Sequence, residues 1–163
     1  MKLAQMLAVP AEGSGMAVDE RIRFCTNCGT LFPAEPPETK HPHRERVCQV
    51  CGLGVLLSTD PKMLSRDHQP LLVVTSDLTI STAGEAALEL FGLEWSDVVG
   101  EPLLSLLDTP IRGSELADRV SRAAGGAGDI SLVRVQVSGT SYEVRVGRCG
   151  EPRGALVVFE TRS

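Results

Sequence analysis

The stretch Asp77-Leu78-Thr79-Ile80-Ser81-Thr82-Ala83-Gly84-Glu85-Ala86-Ala87-Leu88-Glu89-Leu90-Phe91-Gly92-Leu93-Glu94-Trp95-Ser96-Asp97-Val98-Val99-Gly100-Glu101-Pro102-Leu103 decides how the chain is read. It follows Leu71-Leu72-Val73-Val74-Thr75, an apolar run of strand length, and Ser76-Asp77 supplies the turn. Leu78 to Ser81 predicts a second short strand. From Ala83 to Phe91 the apolar spacing becomes helical, with Ala86, Ala87, Leu90 and Phe91 on one face. Gly92 is suited to end that helix in the left-handed conformation. Ser96 and Asp97 open another short helical turn that Gly100 closes, and Leu103 to Leu107 is a third apolar turn.

Moving outward toward the C-terminus, Ser114 is a capping residue for a longer helix from Glu115 to about Ala124, with Leu116, Val120 and Ala123 facing inward. Ala124-Gly125-Gly126-Ala127-Gly128 stops it. This glycine-rich loop lacks the Lys-Ser or Lys-Thr of a phosphate-binding loop and precedes a strand rather than a helix. Ile130 to Val137 alternates, with Val133, Val135 and Val137 on one side and Arg134 and Gln136 on the other. Ser138-Gly139-Thr140 reads as a hairpin turn and Tyr142 to Val146 as the return strand. A turn from Cys149 to Arg153 leads to a last strand, Gly154 to Phe159. Two strands, short helices, a longer helix and three hairpin-connected strands predict an α+β domain built on an antiparallel sheet.

At this point the sequence resembles a PAS domain, over about residues 69–161. The acidic turn at Asp77, the paired Ala86 and Ala87, the Leu90-Phe91-Gly92 helix end and the Asp97-Val98-Val99-Gly100-Glu101-Pro102-Leu103 run match that family's pattern without a gap. Gly84 stands where the family usually has Asn, so a common helix-capping contact is missing, and the Thr109 to Gly113 loop is short. The resemblance implies a sensor or dimerisation domain. It implies no flavin, because the Asn-Cys-Arg-Phe motif of the family's photosensors is absent. It implies no haem either, since His41, His43 and His68 all precede the domain. An internal ligand pocket would be lined by Leu90, Leu106, Leu116, Val120, Val133, Val144 and Val157. The same residues would equally fill an ordinary apolar core.

Toward the N-terminus the chain changes character. Residues 1–18 read as a flexible leader, 19–58 as a small module with few apolar residues, and 59–68 as a linker helix opened by Asp60-Pro61. The PAS-like domain then occupies 69–163. The small module holds Cys25, Cys28, Cys48 and Cys51 as two Cys-x2-Cys pairs separated by nineteen residues. Such knuckles bring two sulfurs to one turn, and two knuckles face to face make the tetrahedral thiolate cage that suits zinc. Gly29 and Gly52 follow the knuckles and allow the sharp turns. Residues 23–54 resemble the zinc-ribbon or rubredoxin-type knuckle family. That resemblance implies one metal per chain, with zinc favoured over iron. Two disulfides or unrelated thiols are the alternatives. Metal binding would supply the folding energy, on the order of 10 kcal/mol, that a segment so poor in core residues lacks. Four thiolates leave no open coordination position, so the site is expected to be structural. His41 and His43, in the intervening loop beside Pro42, are read as solvated, with a share in metal binding as the alternative. Cys149 is read as a small, partly buried side chain, with a redox thiol as the alternative.

Charge completes the sequence-level reading. Residues 1–68 contain eight basic and eight acidic side chains, while 69–163 contain eight Arg and thirteen acids, which carry the net charge of −5. Neither half is the basic surface that nucleic-acid backbones require. No apolar stretch approaches the roughly 20 residues of a membrane span, and no secretory signal is evident, so the cytoplasm is the default compartment. No catalytic constellation stands out and a non-enzyme is expected. The leading reading is a bacterial signalling or regulatory protein, homodimeric through the PAS-like domain or the linker helix, acting on an unidentified protein partner. The rivals are a nucleic-acid-binding regulator using Arg21, Arg23, Lys40, Arg44 and Arg46, and a thiol redox switch.

Overall fold

Leu71-Leu72-Val73-Val74 is apolar at every position because both of its faces are covered. The computed structural model describes residues 21–34, 46–108, 110–150 and 153–161. In it, strand β4 (Leu71–Val74) turns Leu72 and Val74 toward one apolar cluster and Leu71 and Val73 toward another. Strand β8 (Gly154–Thr161) does the same, with Ala155, Val157 and Phe159 on the first side and Leu156 and Val158 on the second. Such continuous apolar runs are the mark of a sheet buried on both faces.

The remaining elements, in chain order, are β1 (Ile22–Cys25), β2 (Leu31–Phe32) and β3 (Leu56–Thr59), then β5 (Ile80–Ala83), α1 (Glu85–Phe91), α2 (Trp95–Val98), α3 (Pro110–Ala124), β6 (Ser131–Val137) and β7 (Thr140–Gly150). The eight described strands form one antiparallel sheet in the order β2-β1-β3-β7-β8-β4-β5, with β6 also on β7. Within it, β5-β4-β8-β7-β6 is a five-stranded unit whose helices cover one face. Leu116, Val120 and Ala123 of α3, Ala87 of α1 and Val98 of α2 pack there against Val133, Val135, Val144, Val146 and Phe159. Phe91 and Tyr142 meet Phe159 edge to face at 5.5 and 6.2 Å. Alternation in β6 is as the sequence predicts: Val133, Val135 and Val137 are buried, whereas Arg134 and Gln136 are exposed. Gly92 ends α1 at φ 69°, its N–H reaching the Leu88 and Glu89 carbonyls.

The long strand β7 is shared. Thr140 to Val146 pair with β6, and Cys149 and Gly150 pair with Thr59 and Ser58 of β3 on the same edge. The cysteine-bearing segment thereby continues the sheet of the PAS-like unit instead of standing apart from it. Ser58 Oγ donates to the Gly150 carbonyl and Thr59 Oγ1 to the Arg148 carbonyl, each at 3.0 Å. Phe24 and Leu57 then join Met63, Leu64, Leu71, Val73, Leu156 and Val158 in the second cluster.

Three sequence expectations are corrected in detail. The linker helix is one 3-10 turn, Pro61–Met63, capped by the Asp60 carboxylate on the Lys62 N–H at 2.8 Å. It stops because buried Leu64 turns extended, and because the Gln69 side-chain oxygen takes the N–H groups of Ser65 and Arg66 at 2.7 and 3.3 Å. Helix α3 starts at Pro110, four residues before Ser114, using proline at the first helical position. Strand β7 runs through Gly147, where any side chain would meet Met63 Sδ at 2.6 Å. Residues 1–18, Lys40, His41, His43 and Arg44 lie outside the described residues. Among those described, no helix is long and apolar enough to cross a membrane.

Candidate metal centre

Hairpin β1–β2 carries the first knuckle. Cys25 closes β1, Gly29 N–H returns to the Cys25 carbonyl at 3.1 Å, and Gly29 takes φ 79°. The second knuckle repeats this turn: Gly52 N–H bonds the Cys48 carbonyl at 2.9 Å, and Gly52 takes φ 73°. Backbone amides point at sulfur in both. Asn27 and Cys28 N–H approach Cys25 Sγ at 3.3 Å, Val50 N–H approaches Cys48 Sγ at 3.4 Å, and Leu53 and Gly54 N–H approach Cys51 Sγ at 3.5 and 3.4 Å. Amide donors of this kind favour thiolate over thiol.

The four Sγ atoms lie within 4.8 Å of one another. Cys25 and Cys51 are 3.6 Å apart and Cys28 and Cys48 are 3.8 Å apart. A tetrahedron with metal–sulfur bonds of about 2.3 Å has sulfur–sulfur edges of about 3.8 Å. The donor set therefore fits a tetrahedral ion that prefers sulfur. Cys25 and Cys48 are buried, and Cys28 and Cys51 are half-buried. Without an ion Cys25 and Cys51 would titrate far apart. Burial pushes Cys25 up to about 12. At Cys51 burial acts upward too, but the Leu53 and Gly54 amides, the Asn27 side chain and Cys25 together bring it down to about 6.

Two contacts that sequence reasoning missed tie the knuckle to the rest of the sheet. Asn27 lends its carbonyl to Glu85 N–H at 2.7 Å, capping α1, while its side-chain amide lies 3.6 Å from Cys51 Sγ and 3.4 Å from the Glu85 carboxylate. Gly84, where a capping Asn is usual in the resembling family, has no side-chain cap, and Asn27 supplies the acceptor across the chain. His68 takes φ 65°, donates its backbone N–H to Gly29 O at 2.9 Å, and places Nδ1 2.6 Å from the Cys28 carbonyl. A carbonyl can only accept, so the ring proton sits on Nδ1. Gly54 was missed as well: a Cβ there would collide with Cys25 Sγ and lie 2.8 Å from Asn27 N.

The expected pocket residues come together in one apolar cluster. Leu116, Val120, Val133, Val144 and Val157 are fully or almost fully buried within it, and Leu90 and Leu106 pack against its margin. Cys149 is buried in the second cluster, and burial alone pushes its thiol up to about 12.

No family model matches the chain, and no curated protein matches it. Among solved structures, the PAS domain of the Cronobacter turicensis RpfR quorum-sensing receptor, in complex with BDSF, superposes with a TM-score of 0.50 at 13% identity, covering 61% of this chain and 99% of that one. A domain of an HTR-like protein from Haloarcula marismortui matches at 0.48 and 14% identity, covering 58% and 98%. The PAS domain of nitrogen regulation protein NR(II) from Vibrio parahaemolyticus matches at 0.46 and 19% identity, covering 58% and 89%. The receptor match speaks to fold alone, and it agrees with the strand order: the chain contains a PAS-like fold.

Proposed function

We propose that this chain is a non-enzymatic cytoplasmic signalling protein, in which a PAS-like sensor or dimerisation domain carries a structural zinc site and acts through protein contacts. Cys25, Cys28, Cys48 and Cys51 are the zinc ligands. The observation that carries the reading is the sulfur cluster itself. Its edges of 3.6 and 3.8 Å suit zinc, and all four positions are cysteine sulfur, which leaves none for substrate. Its link to α1 through Asn27 supports a module that reports to, or stabilises, the PAS-like unit.

The test is elemental analysis and native mass spectrometry of the purified chain, with light scattering for the oligomer. One zinc per chain, lost in Cys25→Ser and Cys48→Ser, and a dimeric mass are the expected results. Iron absorbance, or a cysteine segment that keeps its fold without metal, would overturn the zinc assignment. A strictly monomeric mass would remove the dimerisation role.

A further inference from the structure

Where β3 leaves the sheet and β7 ends, the surface folds into two adjoining cavities of about 150 and 170 Å³. Both are lined by Arg21 and Arg148, and the second also by Arg153. The glycine-rich loop after α3 forms one wall and holds two of the three arginines in place. Arg148 donates to the Gly126 carbonyl at 3.2 Å and Arg153 to the Gly125 carbonyl at 3.5 Å. The loop packs on them at ordinary contact distance: a Cβ at Gly126 would sit 3.7 Å from the Arg153 guanidinium carbon and one at Gly128 3.9 Å from that of Arg148, and it is the φ of 105° at Gly126 that calls for glycine. Among the described residues no carboxylate forms an ion pair with any of the three. Asp60 also lines the first cavity, and its carboxylate caps the Lys62 amide.

The geometry points to a binding site for a small phosphate-class polyanion, with Arg21, Arg148 and Arg153 as its ligands. A guanidinium has five N–H donors. Arg148 and Arg153 each commit one donor to a loop carbonyl, which fixes the plane and leaves the other donors for a ligand. Three positive charges exceed what a monocarboxylate can neutralise, and forked donors suit the tetrahedral oxygens of phosphate. A nucleic-acid strand is the poorer occupant, because the surrounding chain carries a net charge of −5 and would repel an extended polyanion. This loop is not a phosphate loop in the nucleotide-binding sense: its backbone positions arginines, and the side chains do the binding.

Calorimetric titration of the full chain at constant ionic strength tests this, with pyrophosphate as probe and orthophosphate, ADP and citrate as comparators. Saturable binding of one pyrophosphate per chain is expected. Arg148→Gln, Arg153→Gln and Arg21→Gln should each weaken it on the order of tenfold, the loss of one charge-assisted contact. ADP binding as tightly as pyrophosphate would identify a nucleotide as the source of the group; weaker ADP binding would identify the free anion. No saturable heat, citrate binding as tight as pyrophosphate, or undiminished binding in R148Q/R153Q would overturn the site. Arg21, Arg148 and Arg153 all lie outside both apolar clusters, so the three variants test the site independently of one another.

Discussion

At the residue scale, glycines of the second knuckle serve two different needs. Gly52 supplies a backbone conformation: φ is 73°, and a methyl group there would find nothing within 4 Å. Gly54 supplies space, because a methyl group there would run into Cys25 Sγ. Gly52→Ala should therefore cost about 1–2 kcal/mol, the ordinary penalty for a left-handed L-residue, with the metal retained. Gly54→Ala should displace a ligand and weaken zinc affinity by at least roughly tenfold, the factor that about 1.4 kcal/mol of strain produces. Competition against a chelating dye measures both, and equal affinities would contradict the distinction. Gly52 was readable in the sequence because it follows a Cys-x2-Cys pair directly. Gly54 was not, since its neighbour Cys25 is distant along the chain. Cys149 offers a second test at this scale. Its pKa rises by burial from 9.0 to about 12, so the folded chain keeps a proton that the unfolded chain loses above pH 9. That contribution to stability is intact below pH 9 and falls between 9 and 12, by about 1.4 kcal/mol at pH 10. Urea midpoints should decline less from pH 8 to 10 in Cys149→Ala than in the parent chain. Alkylation of Cys149 at pH 8 should be slow until the chain unfolds, and rapid labelling of the native protein would restore the redox-thiol reading.

At the element scale, the helices and strands of the PAS-like unit were legible because their signals are local. Gly92 and Gly100 take the left-handed turns that end α1 and α2, and the valines of β6 alternate. The strands of the cysteine segment were not legible. β2 is two residues long, β1 and β3 are four each, and the pairing of β3 with β7 joins residues about ninety positions apart. Gly147-Arg148-Cys149-Gly150 reads as the approach to a turn, yet it stays in the sheet because β3 pairs with its end. Helix α1, only seven residues long, takes its cap from Asn27 in the knuckle. Chelation of the metal should therefore raise hydrogen exchange at the Glu85 amide, which loses its acceptor as the knuckle opens. Asn27→Ala should leave that amide protected, because the backbone carbonyl remains, while weakening the metal site through the lost side-chain contact with Cys51 Sγ. Unchanged Glu85 protection after chelation would show that knuckle and helix are independent.

At the scale of the whole molecule, the cysteine module and the PAS-like unit share one sheet and one apolar cluster, and this couples their unfolding. Phe24 and Leu57, contributed by β1 and β3, are buried among Met63, Leu71, Val73, Leu156 and Val158. Loss of a metal held by the four cysteines would loosen β1 and β3, uncover those two side chains and strip one face of β4 and β8. Burial of a Phe or Leu side chain is worth about 1.5–3 kcal/mol each, so roughly 3–6 kcal/mol of stability in the PAS-like unit depends on the knuckles. At about 2–4 °C per kcal/mol for a chain of this size, Tm should fall by on the order of 10 °C. Calorimetry with and without chelator should show one cooperative transition that moves as a whole. Cys25→Ser should reproduce the shift in the presence of zinc. Two transitions, of which only a minor one responds to chelator, would mean that the shared strands β3 and β7 transmit no stability. The metal would then fasten its own segment alone. A single shifting transition would make metal occupancy a determinant of the state of the entire PAS-like sheet, including the arginine-lined cleft at the β3–β7 junction.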